Sequence, residues 1–461
     1  LHIRRPGDKK KHEFELTRSN ITVHDVPYWS IDENSIGYIR ITRFSRNTYE
    51  DFIKALKSID SEKFIDINNN GKWDSPENYR DYNKNGIWDN NEKFADKNKN
   101  NTWDNGEFFE DQNNNGKYDN KGQLKGLIID LRGNSGGLLN ESTSILNALT
   151  QKGETLLYTK GRNGKILREY KSTRSPILSK DVPIVVLVNN SSASASEIVS
   201  GVIQDLDRGL VMGRSTFGKG LVQKIKTLND TISLKITNAK YYIPSGRLIQ
   251  KEDWLNNGYL TDGLNKKDSI FYTVKMNREV KGGGGIKPDI ETKPEKIPLF
   301  ISALWKHGVF LSFSSQYVAK NNISENIEIT DEIVDDFKDF FYEIKDEINY
   351  KLPGEKELES MKDKLLDDES PKTSLFSIFK RPSEATRLIN RMERFYKKKK
   401  SNQFKNNDNK KWIVNGLEKE FSRIIVDEKA RIGVSLKNDN EYNEAVDLLL
   451  DLNNYYSLLG Y

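Results

Sequence analysis

Ser194 and Lys219 are the side chains whose types and settings could carry covalent chemistry. Ser194 follows a β-branched run, Ile184–Val188, and opens a stretch with helically spaced apolar residues, 193–206. The run reads as a buried strand. A hydroxyl at the turn from strand to helix stands beside the free N–H groups of a helix start. Serine is a weak nucleophile until a base takes its proton, and a desolvated lysine can serve. Lys219 lies in Phe217-Gly218-Lys219-Gly220, where glycines permit close backbone approach. Gln223, four residues on, would hold the amine if one strand carried both, since i and i+4 share a strand face. The four histidines, His2, His12, His24 and His307, lie in no such setting, so a Ser-His-Asp triad has no obvious base. Spacing alone also allows a plain serine-rich turn and an unrelated lysine.

A second chemistry is written in residues 66–122, where a unit of 15 residues repeats with Asp66, Asp81, Asp96 and Asp111 in phase. The first unit supplies Asp66, Asn68, Asn70, Asp74 and Glu77; the second Asp81, Asn83, Asn85, Asp89 and Glu92. The third supplies Asp96, Asn98, Asn100, Asp104 and Glu107. The fourth has Asp111, Asn113, Asn115 and Asp119, with Gly122 where the glutamate would stand. These are the oxygen-ligand positions of a calcium loop, and Gly71, Gly86 and Gly116 occupy its sharp turn. Asn101 takes that place in the third unit and tolerates left-handed geometry. Calcium, with its high coordination number, suits such cages better than magnesium. Too few residues separate the loops for flanking helices. A compact ladder is expected, with Phe64, Tyr79, Phe94, Phe109, Trp73, Trp88, Trp103 and Tyr118 as its apolar spine. The phased aromatics and glutamates argue against a disordered Asn/Asp-rich linker, and clustered carboxylates imply metal-dependent order.

Several elements must position these groups. Residues 35–44 read as a strand, 49–58 as a short helix and 124–131 as a buried strand turning into a helix near Leu138. Residues 156–158 and 166–170 suggest a hairpin, and 232–243 a further strand ending at Pro244-Ser245-Gly246-Arg247. Gly282–Gly285 mark a tight loop. From about residue 295 the pattern becomes helical: Ile333, Val334, Phe337, Phe340, Phe341, Ile344 and Ile348 form one stripe, and similar patterns recur at 385–396, 412–425 and 442–459. Residues 351–375 and 398–410 read as polar linkers.

At 461 residues the chain can hold two or three domains. The balance of 73 basic against 68 acidic residues gives a net charge of only +5, which implies no nucleic-acid partner. The absence of cysteine excludes disulfides and thiolate metal sites. No apolar stretch is long enough for a transmembrane helix.

The order SASASE, helix, QDLDRG, strand, TFGKGLVQ resembles the carboxy-terminal processing peptidases, tail-specific serine proteases of family S41. Residues 127–137 (LIIDLRGNSGG), 241–250 (YYIPSGRLIQ) and 282–289 (GGGGIKPD) are similar to further family signatures in the expected order. The resemblance spans roughly residues 30–66 and 123–295. It implies an α/β (α+β) fold with a crotonase/ClpP-like ββα protease core over 29–65 and 123–295, carrying the calcium-loop insertion at 66–122. A helical C-terminal region at 296–461 would dock on the core or mediate oligomer contacts. It also implies Ser194 as nucleophile, Lys219 as general base and Gln223 as the residue orienting it. Gly136, Gly137 and the amide of Ala195 become oxyanion-hole candidates, with the choice between the glycines open. Catalysis would need no cofactor, and substrates would be proteins or peptides engaged through their C-termini.

Residues 1–28 look like the last strands of a PDZ module, with 1–5 and 12–18 as strands around a Pro-Gly-Asp turn; an ordinary edge hairpin is the competing reading. A leader and an upstream segment are expected before Leu1, and the resemblance implies an extracytoplasmic location, in a bacterial periplasm or envelope. Glu197, Asp205 and Thr216 read as exposed or capping groups, although the resemblance suggests that they help hold the site. The alternative from another class is a calcium-dependent binding or scaffold protein on an inactive protease fold. An acyl-CoA enzyme of the crotonase type would explain neither FGKG nor SASAS.

Overall fold

Runs such as Ile184–Val188 have no polar face to show to water, so they need cover on both sides of a sheet. In the computed structural model, which describes residues 1–4, 10–19, 23–60, 124–161, 164–251, 269–325, 327–368 and 384–461, they receive it. Two compact units result, one from residues 1–291 with 448–461 and one from residues 292–447.

The first unit begins with a short antiparallel hairpin, β1 (His2–Arg4) and β2 (Lys11–Glu13). The hairpin foreseen for the N-terminal residues is present, but its second strand stops at Glu13. Next come β3 (Tyr28–Ile31), β4 (Ile36–Arg40) and α1 (Thr48–Ile59). The fifteen-residue repeats, with all their proposed metal ligands from Asp66 to Asp119, lie outside the described residues. The chain resumes in β5 (Gly126–Asp130), α2 (Leu139–Leu149), the hairpin β6 (Thr155–Lys160) and β7 (Ile166–Lys171), then β8 (Ile184–Val188) and α3 (Ala195–Asp205). It continues through β9 (Leu210–Gly213), β10 (Leu221–Thr227), β11 (Ser233–Tyr242), β12 (Ser269–Tyr272), β13 (Glu279–Gly282) and β14 (Ile290–Glu291).

Among the described residues, a six-stranded sheet runs β14-β9-β8-β5-β4-β3, parallel except for the β3–β4 edge. Its central strands β5, β8 and β9 are buried at every position. Phe52, Leu56, Ile145, Leu149, Ile198 and Val202 from the three helices pack with Ile129, Val186 and Val188 in one core. A second sheet, β10-β11-β6-β7, is antiparallel, and β10 is exposed from Gln223 onward. The fold is mixed α/β, as the alternation of strands and helices foretells.

The second unit is helical: α4 (Leu299–Lys306), α5 (Val309–Asn321), α6 (Asp331–Ile344), α7 (Glu355–Asp368), α8 (Glu384–Ser401), α9 (Asn407–Ile425), α10 (Glu428–Lys437) and α11 (Asn440–Leu450). The stripe on α6 buries Ile333, Phe337 and Phe341, and Phe337 stacks on Phe310 with ring centroids 5.2 Å apart. The supposed polar linker 351–375 contains α7, because its Glu, Lys, Leu and Met residues favour helix whatever their polarity. The pattern at 442–459 breaks at Asp451, whose side chain accepts from Asn454 N at 3.2 Å and starts α12 (Leu452–Leu459). This last helix belongs to the first unit, so the helical region does not run unbroken to Tyr461 as one body. Tyr455 explains why: its buried hydroxyl donates to Ile184 O and accepts from Ile184 N, each at 3.0 Å. Among the described residues no helix is long and apolar enough to cross a membrane.

Candidate active site

Ser194 is the N-cap of α3 and adopts φ 53°, ψ −112°, a strained conformation for a side chain with a Cβ. The strain is held by its surroundings. Ala193 N donates to Asn134 O at 3.0 Å, Ser192 Oγ to Leu131 O at 2.8 Å, and Ser196 Oγ to Asn134 O at 2.9 Å. Every residue of α3 is buried, and small residues at Ser196, Ser200 and Gly201 let the helix sink against its neighbours. The turn leaves Ser194 half-exposed at the head of this buried helix.

Glu197, one turn into the helix, is completely buried, which corrects the reading of an exposed carboxylate. It does cap the helix, since Ser194 N donates to its Oε2 at 2.8 Å. Its remaining lone pairs reach across to the FGKG loop. Oε1 accepts from Thr216 Oγ1 and Gly218 N, both at 2.6 Å, and Oε2 accepts from Lys219 N at 2.8 Å. Burial pushes the Glu197 carboxyl above its ordinary range, and these four donors work against that rise. Thr216 is buried as well, and its hydroxyl also accepts from Ile286 N at 2.7 Å, tying the glycine loop of residues 282–285 to the site. Gly218, at φ 89°, is needed because a Cβ there would lie 2.7 Å from Lys251 Cβ.

Tyr241 adds a second tie. Its buried hydroxyl lies within hydrogen-bonding reach of Lys219 O and, at 3.3 Å, of Ser194 O. Burial, with Glu197 nearby, holds its phenol well above the usual value. The main chains of Ser194 and Lys219 thus meet at one carboxylate and one phenol.

The Gly136–Gly137 turn lies against the same serine. A Cβ on Gly136 would stand 2.8 Å from Ser194 Cβ, and one on Gly137 would stand 2.0 Å from Phe44 O. Both glycines have positive φ, 93° and 154°. Gly136 N donates to Asn134 Oδ1 at 2.8 Å and is therefore occupied.

The side chains of the other two proposed catalytic residues differ from expectation. Lys219 is exposed rather than desolvated, because β10 beside it offers no covering layer. Gln223 is exposed too, and its Nε2 donates to Thr237 Oγ1 at 3.5 Å instead of reaching the amine. The shared-face argument needs one continuous strand, but β10 begins at Leu221, after Lys219, and sets Gln223 opposite Thr237. Asp205 is likewise buried, not exposed, in an ion pair of 2.7 Å with buried Arg247, which fastens the Pro-Ser-Gly-Arg turn to the far end of α3.

Sequence reasoning passed over Tyr241 and Asn134, and misjudged Glu197. The Ser-x-x-Glu spacing of a capping box was one legible signal for Glu197. The other was the lack of a polar stripe on α3, which marks a helix buried on all sides.

Residues 101–257 match the model of peptidase family S41, and residues 300–449 match that of the probable PDZ-protease C-terminal helical domain. A carboxy-terminal-processing protease of Bartonella bacilliformis is 32% identical over 250 residues, 54% of this chain and 44% of that protein. Carboxy-terminal processing protease CtpB of Bacillus subtilis is 28% identical over 254 residues, 55% of this chain and 40% of that protein. A solved photosystem II D1 C-terminal processing protease is 22% identical, covers 62% of this chain and 53% of that chain, and has a TM-score of 0.36. The matched part spans less than half the length of these curated relatives. The segment that carries Ser194 and Lys219 lies within the residues that match the peptidase family S41 model.

Proposed function

We propose that the protein is a serine endopeptidase of the carboxy-terminal processing type, working through Ser194 and Lys219. The observation that carries this reading is the four-fold use of Glu197, which binds the amides of Ser194, Gly218 and Lys219 and the hydroxyl of Thr216. A carboxylate buried for this purpose holds the two stretches together; exposed residues with no joint task would not need it.

In this reading Lys219 Nζ takes the Ser194 hydroxyl proton as Oγ attacks the scissile carbonyl carbon. The C–N bond then breaks, the amine leaves with a proton, and water hydrolyses the acyl-serine ester. The oxyanion donors are the amides of Gly137 and Ala195, because Gly136 N is already committed to Asn134. Lys219 must be neutral to act, so the bound substrate itself supplies the cover that the exposed amine lacks, and Gln223 turns towards it in that complex. Substrates are protein or peptide C-termini, and the location is extracytoplasmic, by likeness to the family.

Residues 66–122 bind calcium through the Asp, Asn and Glu oxygens of each repeat. That donor set is all hard oxygen at the spacing such a cation takes, and the ion has no part in the peptidase chemistry.

The test is cleavage of a peptide with an unstructured C-terminal tail by wild type, Ser194→Ala and Lys219→Ala. Both variants should fold and lose turnover. Cleavage retained by a folded variant removes its residue from the mechanism.

A further inference from the structure

We infer that Asp25 is a positioning residue for the oxyanion turn, acting through residues 42–48; this rests on the peptidase reading above. Among the described residues Asp25 is the first in the chain to be buried, at the point where the N-terminal segment enters the first unit. Its Oδ1 accepts from Arg43 Nε at 2.6 Å. Its Oδ2 accepts from Ser45 N at 2.8 Å and from Ser45 Oγ and Thr48 Oγ1, each at 2.5 Å. Its main-chain carbonyl accepts from Thr42 N at 2.9 Å and Thr42 Oγ1 at 3.1 Å. The one residue thus grips the chain on both sides of Phe44.

Phe44 is what the glycine turn rests on. Phe44 N donates to Gly136 O at 3.1 Å, and Leu138 N donates to Phe44 O at 2.7 Å. The missing Cβ of Gly137 would fall 2.0 Å from Phe44 O, while that of Gly136 would fall 2.8 Å from Ser194 Cβ. The turn is therefore wedged between the main chain of Phe44 and the proposed nucleophile. Such contacts leave no slack, so a displacement of Phe44 must move the Gly137 amide. A donor aimed at a developing oxyanion loses its value when it is misplaced, even if the ground-state complex is unaffected. Asp25 touches no substrate; it sets the aim of a group that does.

The experiment compares wild type, Asp25→Ala and Asp25→Asn by steady-state cleavage, by affinity for a peptidyl boronate and by hydrogen exchange of the Leu138 amide, which is bonded to Phe44 O. The boronate adduct on Ser194 Oγ places an anionic oxygen at the turn. Asp25→Ala should lower kcat about 10²-fold with KM within about 2-fold, and weaken the boronate by a similar factor. It should also speed exchange of the Leu138 amide, which donates to Phe44 O, while the amides of β8 stay protected. Asp25→Asn keeps an acceptor for Ser45 N and should recover roughly tenfold of the loss. The inference is overturned if a folded Asp25→Ala variant binds the boronate normally, or exchanges the Leu138 amide at the wild-type rate. Should that variant not fold, Ser45→Ala and Thr48→Val each remove one donor to the carboxylate. Each should lower kcat about 5-fold by the same misaiming, and unchanged kcat in both overturns the inference. A wild type that neither cleaves peptide nor takes the boronate sinks the peptidase reading; Leu138 exchange then still decides whether Asp25 holds the turn.

Discussion

Ser194 N and Lys219 N both donate to Glu197 Oε2 at 2.8 Å, so the two proposed catalytic residues hang from one oxygen. Because that oxygen is fully buried, neither amide can turn to water as a substitute. Exchanging Glu197 for Gln puts an NH2 group in front of two donors whichever way the amide is turned. Glu197→Gln should lower kcat/KM about 10²-fold through misplacement of Ser194 and Lys219. Steady-state cleavage checks it, and a variant with wild-type turnover contradicts the clamp.

The same residue shapes the pH dependence of stability. The Glu197 carboxyl titrates above its ordinary value of 4.5 in the folded protein. From that ordinary value up to the raised one, the native state holds a proton that the unfolded chain has released, so this contribution falls as pH rises. Asp130 has the opposite sign. Burial alone would raise it, but the Arg132 charge and its hydrogen bonds, with that from Tyr38, hold it below 3.8. Its contribution is present above 3.8 and is lost as pH falls through the lower native value. Urea titrations of wild type and Glu197→Gln should give a stability difference, wild type minus variant, that declines as pH rises above 4.5. A difference that grows with pH contradicts it.

Tyr241→Phe removes a buried hydroxyl that serves Lys219 O and Ser194 O. It should cost about 1–3 kcal/mol of stability, because the single phenolic proton within reach of both carbonyls is lost where water does not replace it. Turnover should fall roughly tenfold, about 1.4 kcal/mol in the barrier, with KM little changed. Thermal melts alongside steady-state kinetics separate the two effects.

If residues 66–122 hold calcium, added Ca²⁺ should protect that stretch from proteases and a chelator should expose it. Limited proteolysis mapped by mass spectrometry reads this directly. Cleavage within 66–122 that proceeds at one rate with calcium and with chelator rules the sites out.

In the helical unit, Phe337 is fully buried and stacked on Phe310. Phe337→Ala should destabilise that unit by about 3–5 kcal/mol through lost contacts and the cavity left behind. Calorimetry of the full chain should register it as a lowered transition.

Strand and helix positions were legible in the amino-acid order because they follow from local periodicity. Ile184–Val188 forms the strand it spells, residues 193–206 contain α3, and the stripe on α6 marks its buried face. The glycine turn and the FGKG loop were legible too, since only glycine tolerates the positive φ and the backbone contacts found at Gly136 and Gly218. What tertiary structure alone decided were partners distant in the chain: Glu197 with Gly218, Tyr241 with Ser194, Asp25 with Ser45 and Thr48. A carboxylate looks alike in sequence whether water or buried amides surround it, and burial is set by elements that pack from elsewhere. For the same reason the cover expected over Lys219 was not to be had from its own neighbourhood, where β10 stands exposed.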